Sequence, residues 1–128
     1  MKPYKPGGYT SVSPYLVVAG AQRMVDLLRK IFDAEVLRRY DNEDGSIMHL
    51  EVKIDDSVVM VADSNDQYPP NKSLIHVYVP DVDVVFEKAI REGCQVMEAP
   101  RTREGDPDRR GSFLDFSGNI WAIGTQQS

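Results

Sequence analysis

Hydrophobic positions along this chain fall into two successive runs of the same kind. Pro14-Tyr-Leu-Val-Val18 is a short apolar strand, and the segment after it, residues 21–32, places Met24, Leu27, Leu28 and Ile31 on one face at helical spacing. About sixty residues later Leu74-Ile-His-Val-Tyr-Val79 leads into residues 82–92, with Val82, Val85, Phe86, Ala89 and Ile90 on one side. After one single-residue gap Val18 aligns with Val79, Gly20 with Asp81, Met24 with Val85 and Val36 with Val96. The later parts correspond too, Ile54-Asp-Asp-Ser57 standing where Leu114-Asp-Phe-Ser117 stands. A period this long used twice means one supersecondary unit duplicated and paired, not a long array.

The remaining alternation completes each unit as βαβββ. Strands are predicted over residues 13–18, 36–40, 48–54 and 57–62, then 74–79, 95–98, 111–114 and 119–125. Gly45 suits the turn after Asn42, Asp81 is a helix N-cap, and Gly93 fits the left-handed position after the second helix. Residues 1–12, with Pro3, Pro6, Gly7 and Gly8, read as an irregular arm, and residues 63–73, with Pro69-Pro70, as a link. Arg101 to Arg110 reads as a charged loop and a candidate flap. The expected fold class is therefore α+β. One domain, 13–128, contains two modules at about 13–64 and 72–125, each a four-stranded sheet with a helix on its outer side.

Paired copies enclose a space, and strand alternation decides what faces it. Leu16 and Val18 pack on the first helix, which turns Ser13, Tyr15 and Val17 the other way. Ile75, Val77 and Val79 pack on the second, which turns Leu74, His76 and Tyr78 inward. Met48, Leu50, Val52 and Ile54 read as core, leaving His49, Glu51 and Lys53 opposite. The expected lining is Ser13, Tyr15, His49, Glu51, Lys53, His76, Tyr78 and Phe113, a mix of aromatic walls and a few polar groups that suits a small molecule. The alternative is that some of these, His49 among them, simply face solvent on an open sheet.

The chain is long enough, at 128 residues, for one domain with a real core. Its net charge of −5 argues against nucleic acid, and no apolar stretch reaches the length of a membrane span. The first residues lack the apolar core of a secretion signal, and the single cysteine, Cys94, cannot form an internal disulfide, so a cytoplasmic location is expected. Cys94 reads as a small packing residue.

Two segments carry a family resemblance: Val79-Pro-Asp-Val-Asp83 leading into the second helix, and Asp115-Phe-Ser-Gly-Asn-Ile-Trp121. With them the chain resembles the vicinal oxygen chelate superfamily of glyoxalase I, bleomycin-resistance proteins and extradiol dioxygenases, although Phe116 replaces the proline usual in the second motif. Ser13-Pro-Tyr-Leu16, Ile47-Met-His49, Asp56-Ser-Val-Val-Met60 and Asp108-Arg-Arg-Gly111 are similar to the PhnB-like branch. The resemblance covers about residues 12–125 and implies an incomplete barrel with its helices outside. In metal-dependent members four strand positions supply the ligands. Here those positions correspond to Ser13, Met60, Leu74 and Ala122, or to His76 in place of Leu74 if the register shifts by two. Methionine, leucine and alanine offer no hard donor, so no metal cofactor is expected at them.

Two functions follow. One is binding of a drug or metabolite by Ser13, Tyr15, His49, Glu51, Met60, His76, Tyr78 and Phe113, with acidic charge favouring a cationic ligand. The other is a lyase, isomerase or dioxygenase using His49, Glu51 and His76, either around a divalent metal or with Glu51 and His49 as an acid–base pair. No Ser-His-Asp ordering and no phosphate-cradling glycine loop is present. The resemblance further implies a homodimer, with the link at 63–73 long enough for exchange of halves and the arm able to clasp a partner.

Overall fold

A computed structural model describes residues 2–127. The order of elements is β1 (Tyr15–Val18), α1 (Ala21–Phe32), β2 (Glu35–Asp41), β3 (Ile47–Ile54), β4 (Ser57–Asp63), β5 (Leu74–Tyr78), α2 (Val82–Arg91), β6 (Gln95–Thr102), β7 (Asp108–Leu114) and β8 (Ile120–Gln126). The chain divides into two compact units, Met1–Asn71 and Lys72–Ser128. Each holds one four-stranded sheet of the same topology, β1-β4-β3-β2 in the first and β5-β8-β7-β6 in the second. The outer pair β1–β4, like β5–β8, is parallel, and the other neighbours are antiparallel. The α+β class and the doubled βαβββ plan are thus as the repeat predicted.

In the first unit α1 packs on β4, β3 and β1. Its Ala21, Met24, Val25, Leu27, Leu28 and Ile31 are buried, with Leu16, Val18, Val52 and Val61 buried on the strands. Each of the larger of these side chains contributes roughly 1.5–3 kcal/mol of transfer free energy. The N-terminus of α1 has Gly20 at its cap, which offers no side chain. Asp63, at the end of β4, substitutes: its Oδ1 accepts from Ala21 N at 2.8 Å and its Oδ2 from Ile47 N at 2.7 Å. In the second unit α2 packs on β7, β6 and β8 and caps itself, Asp81 accepting from the amides of Asp83 and Val84. The chain then turns at Gly93, whose φ of 95° belongs to the left-handed region.

Three expectations about the strands need correction. Met48 is 53% exposed, not core, while Ile47 is buried. The register shows why: Tyr40 pairs with His49 but Asp41 pairs with Ile47, so Met48 is the extra residue of a β-bulge and the alternation changes phase there. The first strand begins at Tyr15, leaving Ser13 in the approach to it. Third, the charged stretch 101–110 is not one loop. β6 runs to Thr102, β7 starts at Asp108, and Arg101 pairs with Arg110 across the ladder. β6 absorbs two extra residues between Val96 and Arg101.

The Asp115–Trp121 motif is the turn between β7 and β8. Asp115 Oδ1 accepts from the amides of Ser117 at 2.8 Å and Asn119 at 3.0 Å, and its Oδ2 accepts from Trp121 Nε1 at 2.8 Å and Asn119 Nδ2 at 3.1 Å. Asn119 in turn accepts from Ser73 N, fixing the start of β5. The motif is therefore the organising centre of the second sheet.

Candidate functional site

Pairing fixes which side chains share a face, since partners across a ladder point the same way. In the first unit Leu16 pairs with Val61 and Val52 with Val59 on the α1 side. The face away from the helix carries the row Tyr15–Met60–Glu51, then Val17–Ala62, with His49 one step on from Glu51 along the same register. Tyr40 lies beside His49 on β2.

Tyr15, His49 and Glu51, joined by Tyr9, form one hydrogen-bonded chain. Glu51 is only 5% exposed. Its Oε2 meets His49 Nε2 at 2.8 Å, and Tyr15 Oη lies 2.7 Å from His49 Nδ1. Tyr9 binds the other carboxylate oxygen, Oε1, with the guanidinium of Arg38 4.0 Å from the same atom and 5.2 Å from the Tyr9 ring. Burial is the largest single influence on Glu51 and pushes its pKa up. The hydrogen bonds from Tyr9 and His49 and the charges of His49 and Arg38 together outweigh it, leaving the carboxyl below the ordinary glutamate value. Glu51 is thus a carboxylate that accepts on both sides. The hydrogen bond to Glu51, then burial, raises the Tyr9 phenol, and burial, then the Glu51 charge, raises that of Tyr15.

Ionised Glu51 fixes the imidazole. His49 Nε2 carries the proton and donates to it, so in neutral His49 the Nδ1 accepts from the Tyr15 hydroxyl. The Tyr15 ring is 40% exposed and tilts against the His49 ring at 5.6 Å, and Tyr40 stacks on the other side at 6.3 Å. Tyr9 belongs to the arm, which lies along this face, Thr10 Oγ1 accepting from Val58 N as well. No periodic pattern in residues 1–12 pointed to Tyr9; its only signal was an aromatic after two glycines.

The second unit uses the same rows differently. Its face away from α2 carries His76–Ala122–Ser112 and Tyr78–Gly124–Arg110. Arg110 Nη1 lies 3.2 Å from His76 Nε2, while Nε binds Asp106 and Nη2 binds Asp108, each at 2.8 Å. Tyr78 donates to Asp108 at 2.7 Å and packs edge-on to the His76 ring. A guanidinium only donates, so His76 Nε2 is unprotonated in this contact. Burial, then the Arg110 charge, lowers the His76 pKa. Asp108 and Arg110 were not among the expected lining residues; their membership of a β-strand was hidden by the charge of the segment.

Phe113 is corrected. It pairs with Trp121, which pairs with Ile75, so it lies on the α2 side with the core and is 1% exposed. Ser112 and Arg110 occupy the face it was assigned. The positions that hold metal in other members of the resembled family are Ser13 and Met60 in the first unit and Leu74 or His76 with Ala122 in the second; Ala122 pairs with His76. Thioether and methyl side chains do not fit a hard divalent ion. Among the described residues no three His, Cys, Asp or Glu side chains are grouped to hold a metal ion; His49 and Glu51 belong to the first unit and His76 to the second.

Comparison with known proteins agrees with this architecture. The sequence model of the "Glyoxalase/Bleomycin resistance protein/Dioxygenase superfamily" matches residues 9–123. An uncharacterized protein of Mycobacterium bovis is 33% identical over 125 residues, spanning 89% of this chain and 82% of that protein. The PhnB protein from Bacillus cereus superposes with a TM-score of 0.71 at 18% identity, over 91% of this chain and 99% of the other. TnmS3, an antibiotic binding protein from Streptomyces sp. CB03234, gives 0.68 at 18% identity, over 92% and 99%. At such identities the two structures speak for the fold alone.

Proposed function

Because the chain belongs to the glyoxalase/bleomycin resistance protein/dioxygenase superfamily, we propose that it holds a small planar organic molecule, an antibiotic or a metabolite, against the first sheet. One observation carries this reading: the exposed rings of Tyr15 and Tyr40 flank a histidine that a buried carboxylate holds in place. Fixed aromatic faces beside a few oriented polar atoms are what a planar ligand needs. A solved protein of this fold described as antibiotic binding supports it. Met60, Leu74 and Ala122 do not offer the donors that a catalytic metal requires, so no step is assigned to one.

The test is a thermal-shift screen of planar antibiotics and aromatic metabolites, followed by titration of the strongest. A ligand at about a hundred times its Kd stabilises the native state by about 2.7 kcal/mol. Tyr15→Ala with Tyr40→Ala should abolish the shift. A purified protein carrying stoichiometric divalent metal, or a ligand whose affinity ignores both tyrosines, overturns the reading. We further propose a homodimer working in the cytoplasm, which light scattering at micromolar concentration checks; a clean monomer refutes the first half. Among the described residues no helix is long and apolar enough to cross a membrane.

A further inference from the structure

Resting on the reading above, we infer that the molecule held against the first sheet is a hydroxyl-bearing aromatic, a phenol, whose O–H donates to the Tyr15 oxygen. The direction of the hydrogen bonds in the site dictates this. Glu51 accepts from Tyr9 and from His49 Nε2, and with His49 neutral its Nδ1 accepts from Tyr15. The one proton of the Tyr15 hydroxyl is thereby committed to His49, and its oxygen keeps lone pairs free to accept, on a residue that is 40% exposed. The chain thus ends in an acceptor. Each link polarises the next, so the terminal oxygen accepts more strongly than an isolated phenol would. An ether or carbonyl oxygen meets lone pairs against lone pairs there; an O–H meets a partner. The rings of Tyr15 and Tyr40 supply the apolar faces for the rest of the ligand.

Three probes of one shape separate the possibilities: naphthalene, 2-naphthol and 2-methoxynaphthalene, each titrated calorimetrically into the full chain at neutral pH. One hydrogen bond distinguishes them, so 2-naphthol should bind about tenfold more tightly than either of the others. Tyr15→Phe, which keeps the ring, should bring 2-naphthol down to the level of naphthalene. His49→Phe should do something a merely structural role would not: the freed Tyr15 hydroxyl can then donate outward, and 2-methoxynaphthalene should rise to match 2-naphthol. Amide protection of the first-unit strands in NMR hydrogen exchange confirms that each variant is folded. If all three probes bind the native protein equally, the phenol inference falls and the planar-ligand reading stands. If none binds, the planar-ligand reading itself fails.

Discussion

Replacing Asp115 by alanine should destabilise the second unit by several times the roughly 0.5 kcal/mol that bounds an ordinary surface substitution. Asp115 is 4% exposed, and its two oxygens accept from two backbone amides, from Asn119 Nδ2 and from the indole of Trp121. Asn119 and Trp121 are themselves buried, so water reaches the orphaned donors poorly after truncation. Ser117 is half-buried and can recover a bond to solvent. Counting only the three donors Asn119 N, Asn119 Nδ2 and Trp121 Nε1, at about 1–3 kcal/mol for each buried group left unsatisfied, the expected loss is about 3–9 kcal/mol. That is a large share of the roughly 5–15 kcal/mol by which domains are usually stable. Asp115→Asn should fall between, because one of its positions becomes an NH2 facing other donors. Urea titration followed by fluorescence is well placed to see this, since Trp121 is the single tryptophan and sits in the affected turn. A loss below about 1 kcal/mol for the alanine variant would refute the claim that this motif is a structural hub.

Gly111→Ala should lower the melting temperature, because its Cβ would lie 3.1 Å from Pro100 N and 3.2 Å from Glu98 O, backbone atoms that cannot swing aside; about 1–3 kcal/mol is expected from a denaturation curve. Glu51 has a folded pKa below its unfolded one, so it stabilises the fold above the ordinary value of 4.5 and that stabilisation is lost as pH falls through the lower folded value. Glu51→Gln should remove this part of the acid sensitivity in a stability–pH profile. His76 likewise has a folded pKa below the ordinary 6.5, so the unfolded chain takes the proton first and stability declines as pH drops below about that value. His76→Asn should flatten the profile just below pH 6.5 while leaving the Glu51 region in place, and an unchanged slope there would count against the lowering of the His76 pKa by burial and Arg110.

The fold was legible because duplication doubled every signal: a helix periodicity and a strand alternation that recur together fix both the units and their order. What failed to show was phase. One bulged residue, Met48, inverts the alternation of β3 without altering its composition. Phe113 and Leu114 are both apolar neighbours, and only the pairing of Phe113 with Trp121 and of Trp121 with Ile75 decides which of them faces the helix. Charge misled at 101–110, where Arg109 pairs with Asp83 on α2 and Arg110 with Asp106 and Asp108, so the charges are satisfied within ordered structure instead of by solvent. Tyr9 was invisible for a different reason: it meets Glu51 across a separation of 42 residues, and no local pattern encodes such a contact.

The two sheets also explain how one duplicated unit can carry two chemistries. The register makes Tyr15, Met60 and Glu51 equivalent to His76, Ala122 and Ser112, and Val17 and Ala62 equivalent to Tyr78 and Gly124, which sets His49 against Arg110. In both units the first residue of one row reaches diagonally over the middle strand to the last residue of the next: Tyr15 to His49 at 2.7 Å, His76 to Arg110 at 3.2 Å. Each diagonal passes a small residue, Ala62 or Gly124, and a Cβ on Gly124 would already touch His76 Nε2 at 3.4 Å. A larger side chain at Gly124 would crowd the diagonal. The backbone therefore preserves one contact while the residues at its ends decide its polarity. In the first unit the carboxylate behind the imidazole draws the proton inward from Tyr15; in the second the guanidinium presses a proton-free nitrogen on His76. Arg110→Gln keeps the backbone and the burial of His76 but removes the guanidinium charge, so His76 should titrate higher in the NMR spectrum. A titration that stays where it was would mean that the equivalence of the two diagonals is geometric coincidence.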